Sequence, residues 1–217
     1  IETKQPTTYD GPDINELKQQ ENDLIQHVES IQTDIETAEQ DLEILRFPIG
    51  RFKKPHIISK ELIELWIEDI ESFPARLKKE VVHLSEEQLE TSYRENGWTI
   101  RQVVHHSADS HMNAFTRLKL ALTEEKPVIK PYLEEKWAEL ADGKTMPIEP
   151  SLQMLDGIHA RWTVLLNSLS EKEFSKPFFH PEHGKEFRVD ENIGVYAWHC
   201  NHHLAHITEL KKRKNWN

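Results

Sequence analysis

The feature that most constrains the fold of this chain is a histidine-rich segment near its C-terminus, Tyr196–Ile207, where four of the thirteen histidines fall within eight residues. Its flanks are typical of a helix. Asp190 is the expected N-cap and Glu191 a first-turn residue, where the helix dipole favours negative charge. Lys211–Arg213 close the last turn, where the dipole favours positive charge. The sequence therefore predicts one helix that carries all four histidines.

These histidines form two pairs at helical spacing, His199 with His203 and His202 with His206. At about 100° per residue, the apolar stripe of the helix consists of Ile193, Tyr196, Ala197, Cys200, Leu204 and Ile207. His199 and His203 border the stripe, whereas His202 points roughly opposite to it and His206 lies nearer to His202. Two inward imidazoles four residues apart can hold one divalent metal ion. The alternative is a helix whose histidines only pack in the core or at the surface.

A third ligand is expected, because a catalytic zinc site usually has three protein ligands and one open position. An earlier helix is predicted to begin at the capping box Thr99–Gln102 and to run to about Thr123. It carries His105, His106 and His111. His111 lies within the apolar stripe of this helix, and the other two lie on its opposite shoulders. Periodicity alone therefore favours His111 as the third ligand.

A polar line on the same helix favours His106 instead. The line begins at His106 and continues through Ser110, Asn113 and Arg117. Polar residues beside an apolar face are typical of a helix that lines a cleft, so these three are candidate substrate-binding residues. An ordinary solvated helix edge would give the same pattern, and the choice of third ligand stays open on the residues alone.

Four long helical segments account for most of the chain after residue 46. The first begins at the N-cap Ser59 and contains Pro74, which is expected to kink or split it. The two helices described above are the second and fourth, and the third spans Leu152–Leu169. Before the third lies a connection of about 25 residues, long enough to let it run parallel to the second. Shorter elements are predicted at Ser85–Gln88, Leu133–Leu140 and Ser170–Glu173, and as a β-hairpin of Lys176–His180 with Lys185–Val189.

Residues 1–46 have a different pattern. Residues 1–12 are polar, end in a turn signal and are expected to be poorly ordered. From there apolar residues recur at alternating spacings of three and four over more than four heptads, which predicts a coiled coil. The alternative is a long amphipathic helix that packs on the body of its own chain. The seam consists of Ile14, Leu17, Leu24, Val28, Ile31, Ile35, Ala38, Leu42 and Leu45.

The seam residues favour a homodimer. Asp34 and Glu39, at g and e positions, would repel each other across a parallel pair, so the direction of the helices stays open. Helix breakers at Pro48, Gly50 and Pro55 place the domain junction after residue 46. The sequence thus predicts an acidic extension, 1–46, with a coiled coil from about residue 14, and a helical domain, 47–217.

Charge and composition narrow the functional classes. Residues 1–46 hold 12 acidic and 3 basic residues, and the remainder holds 26 and 24. An acidic extension on a nearly neutral body argues against nucleic-acid binding, which needs a basic surface. No apolar run is long enough to span a membrane and no signal-peptide pattern is present. A single cysteine, Cys200, excludes an internal disulfide and fits a cytoplasmic protein.

Two motifs of this chain together resemble the DinB/YfiT-like proteins. They are Trp98-Thr-Ile-Arg-Gln-Val-Val-His-His106 and His199-x-x-His202-His203. Four further segments are similar to the bacillithiol S-transferase branch of that family: Phe47–Gly50, Tyr93-Arg94, Ala108–Met112 and His206–Leu210. The resemblance covers the chain from about Phe47 to its end. It does not extend to residues 1–46.

The resemblance implies an all-α domain, a four-helix bundle with a long crossover and a small β-hairpin, here preceded by the N-terminal coiled-coil helix. It also implies one divalent metal ion per chain, zinc in the first place or nickel, bound by His106, His199 and His203. That ligand set agrees with the inward pair on the last helix. It replaces His111, which periodicity alone favours, with His106 as the third ligand.

The branch implies transfer of the thiol bacillithiol to an electrophilic small molecule. A metal ion stabilises a thiolate at neutral pH, and three neutral histidines leave the site positively charged. Arg117 or Arg161 could hold carboxylates of the thiol, with Ser110 and Asn113 beside Arg117. Cys200 is not expected to be a nucleophile, because it lies in an apolar stripe and buried cysteines are usually inert.

Two other functions stay open. Proteins of this family are often labelled metal-dependent hydrolases, which use a metal-bound water and usually a carboxylate base. The chain has Cys200 where the HExxH motif has glutamate, and Asp109 points away from the line of His106, so no catalytic residue is identified. The other alternative is a non-enzymatic metal- or thiol-binding module displayed on the coiled coil.

Overall fold

The computed structural model describes Gly11 and residues 13–216. The prediction that residues 1–12 are poorly ordered therefore concerns residues that, apart from Gly11, lie outside this description. The chain divides into two compact units, one ending at Glu43 and the other beginning at Ile44. The sequence places the junction after residue 46. Among the helices of residues 13–216, none combines the length and the apolar character that crossing a bilayer requires.

The first unit contains most of α1, a helix of 33 residues that spans Ile14–Arg46. None of its residues is buried. The seam residues from Ile14 to Leu42 are all exposed. Side-chain hydrogen bonds along residues 19–37 join residues four apart, as in the pair between Gln19 and Asp23. The helix is therefore as predicted, and its pairing as a coiled coil stays a prediction.

The second unit is built on four long helices: α2 spans Lys60–Val81, α4 Ile100–Thr123, α7 Glu149–Asn167 and α9 Val189–Lys214. Helix α2 packs against α7 and α9, and α4 packs against the same two helices. Helices that follow each other in the chain, α2 and α4 or α7 and α9, thus occupy diagonal corners, whereas α4 and α7 are neighbours. The predicted all-α four-helix bundle is confirmed.

Shorter elements connect these helices. Single-turn helices lie at α3, Glu86–Leu89, and α8, Glu171–Phe174, and each follows a capping box of the predicted kind. The connection between α4 and α7 contains two such turns, α5, Glu134–Trp137, and α6, Ala141–Lys144, where one helix was expected. The predicted hairpin is present as strands β1, Pro177–His180, and β2, Lys185–Arg188, with Phe178 opposite Phe187.

Two local expectations differ from the structure. Pro74 does not split α2, which runs unbroken from Lys60 to Val81 with Pro74 buried in its interior, and a kink there stays a prediction. Asp190 is not the N-cap of α9, because β2 leads directly into the helix and Arg188 is the capping residue. The buried carboxylate of Asp190 instead pairs with the Arg188 guanidinium and accepts the backbone N–H of Glu191 at 2.8 Å.

The core of the bundle contains polar as well as apolar side chains. Its largest fully buried side chains include Phe73, Leu77, Leu155 and Trp162. In addition, six histidines of α4, α7 and α9 are at most 6% exposed: His105, His106, His111, His159, His203 and His206. Burial of so many polar rings requires hydrogen-bond partners or another ligand, because an unpaired buried polar group destabilises the fold.

Candidate metal centre

Three imidazoles from two helices meet at the centre of the bundle. His106 comes from α4, and His199 and His203 come from one face of α9. One ring nitrogen of each lies within 4.8 Å of those of the other two. The Nε2 atoms of His106 and His199 are 3.3 Å apart, and the ring centroid of His203 lies 4.8 Å from that of His106 and 4.4 Å from that of His199.

The spacing of these nitrogens fits a tetrahedral metal ion. Two imidazole nitrogens that each lie about 2.0–2.1 Å from a tetrahedral ion are separated by about 3.3–3.4 Å. The 3.3 Å between His106 and His199 matches that value. Two neutral imidazoles facing each other by Nε2 atoms can form at most one hydrogen bond. A shared cation would engage both lone pairs.

Burial keeps the three rings neutral. It lowers the pKa of His106 and of His203 well below the usual value, and the neighbouring imidazoles lower both further. Burial also lowers the pKa of His199 to about 3, with His206 as a lesser cause. A neutral imidazole has a lone pair to give to a metal ion, whereas an imidazolium has none. The cluster therefore has the protonation state that metal binding requires at neutral pH.

The two other histidines of α4 are engaged elsewhere. His105 contacts the Ser151 hydroxyl through Nδ1 at 2.7 Å and the Met146 carbonyl oxygen through Nε2 at 3.0 Å. His111 is fully buried, and its Nε2 lies 3.1 Å from Nδ1 of His199. The periodicity that leans towards His111 thus identifies a residue in contact with the cluster. It does not identify a member of it.

The second pair on α9 is also buried, which its direction on the helix does not predict. His202 stacks between Trp198 and Phe47, with ring centroids at 4.4 and 5.6 Å. His206 stacks on Tyr93 at 3.9 Å, and its Nε2 lies 3.1 Å from the carbonyl oxygen of Arg46. His202 is covered by the segment after α1, where the Trp198 indole donates to the carbonyl oxygen of Gly50 at 3.0 Å. His206 is covered by Tyr93 and by Arg46 at the end of α1.

A cavity of about 540 Å³ opens onto the cluster. His199 and Ser110 belong to its lining, and the Ser110 hydroxyl lies 3.4 Å from Nε2 of His199. Arg117 lines the same cavity. Its Nε is buried and has no hydrogen-bond partner among the described residues, while one terminal nitrogen donates to the carbonyl oxygen of Lys130 at 3.2 Å. The cavity thus combines the cluster with two of the three predicted substrate-binding residues.

The other two polar candidates lie elsewhere. Asn113 is not part of the cavity lining, and its amide donates to the carbonyl oxygen of Asp109 on its own helix at 2.8 Å. Arg161 lies over the ring of Phe115, at 5.5 Å from its centroid, beside shallow grooves between α4 and α7. Only Arg117 of the two arginines is therefore placed to bind a molecule next to the cluster.

Sequence reasoning missed the opposite wall of the cavity. It is supplied by Tyr132 and Glu134 in the crossover and by His180 in the hairpin, together with Tyr196 of α9. The Tyr132 hydroxyl and Nδ1 of His180 are buried without a hydrogen-bond partner in the described part of the chain. Tyr132 lies in a loop and His180 in a short strand, where helical periodicity gives no signal. His180, just before the turn Pro181–Gly184, and His183 within it were the available hint.

Cys200 is fully buried and is neither a cavity residue nor a cluster residue. Burial raises the pKa of its thiol well above the usual value. Since only the thiolate is strongly nucleophilic, the environment agrees with an inert packing role.

The sequence of this chain is similar to those of known proteins. A model of the DinB superfamily matches residues 69–207. A Bacillus cereus (strain B4264) protein named "Putative metal-dependent hydrolase" is 55% identical over 172 residues, which are 79% of this chain and 98% of that protein. A protein of the same name from Oceanobacillus iheyensis is 54% identical over 171 residues, with the same coverage.

A solved structure is similar as well. It is that of YfiT from Bacillus subtilis, described as "a probable metal-dependent hydrolase with an unusual four-helix bundle topology". The TM-score is 0.78 and the identity 48%, over 80% of this chain and 99% of that one. These relatives are matched almost whole, whereas about a fifth of this chain has no counterpart in them.

Proposed function

The chain belongs to the DinB superfamily, and from that premise we propose that it is a metal-dependent enzyme whose ion is held by His106, His199 and His203. The observation that carries the proposal is the 3.3 Å separation of two lone-pair nitrogens within a buried cluster of three neutral imidazoles. Imidazole nitrogen suits zinc and nickel among the divalent ions. We expect one ion per chain, zinc in the first place.

Within this class we propose thiol S-transfer, with bacillithiol as the thiol and an electrophilic small molecule as its acceptor. A divalent ion bound at neutral ligands stabilises a thiolate at neutral pH. The cluster contains only histidines among residues 13–216, so no carboxylate reduces the positive charge that an anionic sulfur would meet. The thiolate needs no base to remain deprotonated there. Such a reaction is therefore compatible with a cluster that lacks an acidic member.

The chain's own residues bind and orient the substrates. Arg117 offers a buried, unpaired Nε–H to a carboxylate, and a hydrogen bond to a charged group contributes about 1.5–3 kcal/mol. Ser110 offers its hydroxyl beside His199. The crossover and the hairpin complete the lining of the cavity with Tyr132 and His180.

Hydrolysis is the second candidate, favoured by one residue of the cavity wall. Burial raises the pKa of Glu134, with lesser contributions from Glu135 and Glu182. A carboxylate with a raised pKa in a substrate cavity is a candidate general base for the activation of water. The names of the relatives agree with this alternative.

One assay separates the two reactions. The purified full chain is incubated with bacillithiol and a chromogenic electrophile, with and without a chelator, and in parallel with ester and amide substrates in the absence of thiol. Chelator-sensitive conjugation supports the proposal. Chelator-sensitive hydrolysis without thiol supports the alternative instead. A metal-loaded chain without either activity would favour a binding module.

A pair of arginine variants tests the substrate site. Arg117→Met is expected to raise the KM for bacillithiol about tenfold, the lower end of the effect of a charge-assisted hydrogen bond. Arg161→Met is the matched control, because this arginine lies outside the cavity and should leave KM within about twofold. Equal effects of the two substitutions would contradict the placement of the thiol beside Arg117.

A further inference from the structure

A line of hydrogen bonds joins His199 to the far side of the bundle. Nδ1 of His199 lies 3.1 Å from Nε2 of His111. Nδ1 of His111 lies 2.7 Å from Nε2 of His159, and Nδ1 of His159 lies 2.5 Å from the carbonyl oxygen of Ile70. The four residues belong to α9, α4, α7 and α2 in that order. The line therefore crosses every long helix of the bundle.

The end of this line at Ile70 exists because of Pro74. In a helix the carbonyl oxygen of residue 70 would accept the backbone N–H of residue 74. Proline has no N–H, so the Ile70 carbonyl is left without its helical donor. The carbonyl is fully buried, and His159 supplies the missing hydrogen bond. The same contact explains how α2 accommodates Pro74 without being split.

The carbonyl fixes the direction of every hydrogen bond in the line. A carbonyl oxygen only accepts, so His159 must donate through Nδ1, and its Nε2 must then accept when the ring is neutral. His111 donates to it through Nδ1 and accepts through Nε2. His199 in turn donates through Nδ1, which leaves the lone pair of its Nε2 facing His106.

The environment supports neutral rings in this order. His111 and His159 are at most 1% exposed. Burial lowers the pKa of His159 to about 4 and that of His111 well below its usual value. Phe73 packs against both rings, with centroids at 5.2 and 5.6 Å, and Trp162 contacts both at 6.0 and 5.7 Å. Hydrogen bonds in such apolar surroundings are stronger than in water.

We propose that His111 and His159 are positioning residues: they hold His199 as the tautomer protonated on Nδ1, with Nε2 directed at the metal, and the Ile70 carbonyl freed by Pro74 sets the direction. This inference rests on the proposed metal function of His199. Nδ1 of His203, by contrast, has no hydrogen-bond partner in the described part of the chain. His199 is therefore the ligand whose orientation is held through all four helices.

The tautomers are tested first in the unmutated full chain. Histidine ring nitrogens are labelled with ¹⁵N in the zinc-loaded protein, and long-range ¹H–¹⁵N correlation spectra identify which nitrogen of each ring carries the proton. The expected pattern is a proton on Nδ1 of His111, His159 and His199. A proton on Nε2 of His111 or His159 overturns the proposal, and this measurement needs no variant to fold.

Zinc affinity provides the second readout, measured by competition with a chromophoric chelator. His159→Phe removes the link between His111 and the Ile70 carbonyl and should weaken zinc binding about 10–100-fold, as loss of an outer-shell partner typically does. His159→Gln should regain part of the affinity, because an amide offers one donor and one acceptor, as the neutral imidazole does.

The matched control is His105→Phe. His105 is equally buried, has hydrogen bonds at both nitrogens and lies on α4, yet it does not belong to the line. Its variant should keep zinc affinity within about threefold of the unmutated chain. Equal losses for His105→Phe and His159→Phe would show a general packing effect and overturn the proposal. A full chain that binds no zinc would contradict the proposed function instead, and the tautomers of His111 and His159, measured in the metal-free protein, would still decide the inference.

Discussion

Helix α1 and helix α4 are both long and amphipathic, and they use that pattern in opposite ways. α1 has 33 residues and buries none of them, whereas α4 has 24 residues and buries more than half. The sequence identifies the apolar face of each helix equally well. The comparison teaches that periodicity specifies which face is apolar, while the partner that covers this face depends on the rest of the chain or on another chain.

Polar side chains show the same contrast. Along residues 19–37 of α1 they bond to groups four residues away on the same helix, as Thr37 does with the carbonyl oxygen of Thr33. In the bundle they reach between helices, as His111 does towards α7 and α9. Bonds between helices hold side chains in fixed positions over long sequence distances, which a binding site requires. The chemistry of the chain therefore lies in the bundle.

The largest effect that sharpens this comparison is loss of the metal from the bundle. His203→Ala removes one of three proposed ligands and should reduce bound zinc from about one ion per chain to nearly none, because two histidines make a weak site. His202→Ala is the control, since His202 is as buried as His203 but stacks against Trp198 and Phe47. Elemental analysis of both variants decides. Full zinc content in His203→Ala would contradict the ligand assignment.

Acid should unfold the metal-free bundle. Burial lowers the pKa of His159 and His206 to about 4, against about 6.5 in an unfolded chain. Between these values the unfolded chain takes up protons that the folded chain does not, so unfolding becomes easier as the pH falls. Neither ring lowers the free energy of unfolding above about pH 6.5. Between pH 6.5 and pH 4 each ring lowers the free energy of unfolding by on the order of 1 kcal/mol for every unit by which the pH falls.

Tryptophan fluorescence measures this loss for the bundle alone, because all six tryptophans follow residue 44. Denaturant unfolding at a series of pH values should show the free energy of unfolding falling below pH 6.5. The conjugating activity of the metal-loaded chain should fall over the same range, because protons compete with the ion for imidazole nitrogen. A rate that is flat from about pH 8 to pH 5 would contradict metal ligation by histidines.

Those features of the fold that depend on neighbouring residues could be predicted from the sequence. The capping boxes at Ser85 and Thr99 form as expected because their hydrogen bonds join residues three apart. The hairpin forms around Pro181–Gly184 for the same reason. Asp190 failed as a predicted N-cap because the paired strand extends to Arg188, which is a contact between strands and not a local preference.

The site could be predicted only in part, for a related reason. The inward direction of His199 and His203 follows from the turn of one helix. The choice of His106 over His111 depends on how α4 faces α9, and this is a contact between helices that periodicity does not contain. The family resemblance supplied it. The burial of His202 depends on the segment after Arg46, and that of His206 depends on Arg46 and Tyr93. The cavity wall depends on the crossover and the hairpin.

Removal of residues 1–43 is the smallest of the expected changes and tests the other side of the comparison. The proposed ligands and the cavity residues all follow residue 44, so metal content should stay the same in the truncated chain. The cut leaves Arg46 in place, because its carbonyl oxygen is the partner of His206. The number of chains per particle should fall, because the truncation removes exposed apolar seam residues that are stabilised when they pack against the same seam of a second copy.

Light scattering across a range of concentrations measures this change, with metal analysis on the same samples. A homodimer held by α1 alone would become a monomer, and a bundle that also associates through its own surface would lose association strength at low concentration.

Leu24→Glu with Ile31→Glu in the full chain is a second disruption, because both side chains lie on the seam and are exposed. It should weaken association as the truncation does, since charges on the seam oppose its burial. An unchanged number of chains per particle at every concentration in both proteins would show that the seam does not join two copies. A loss of zinc on truncation would show that α1 is needed to build the site.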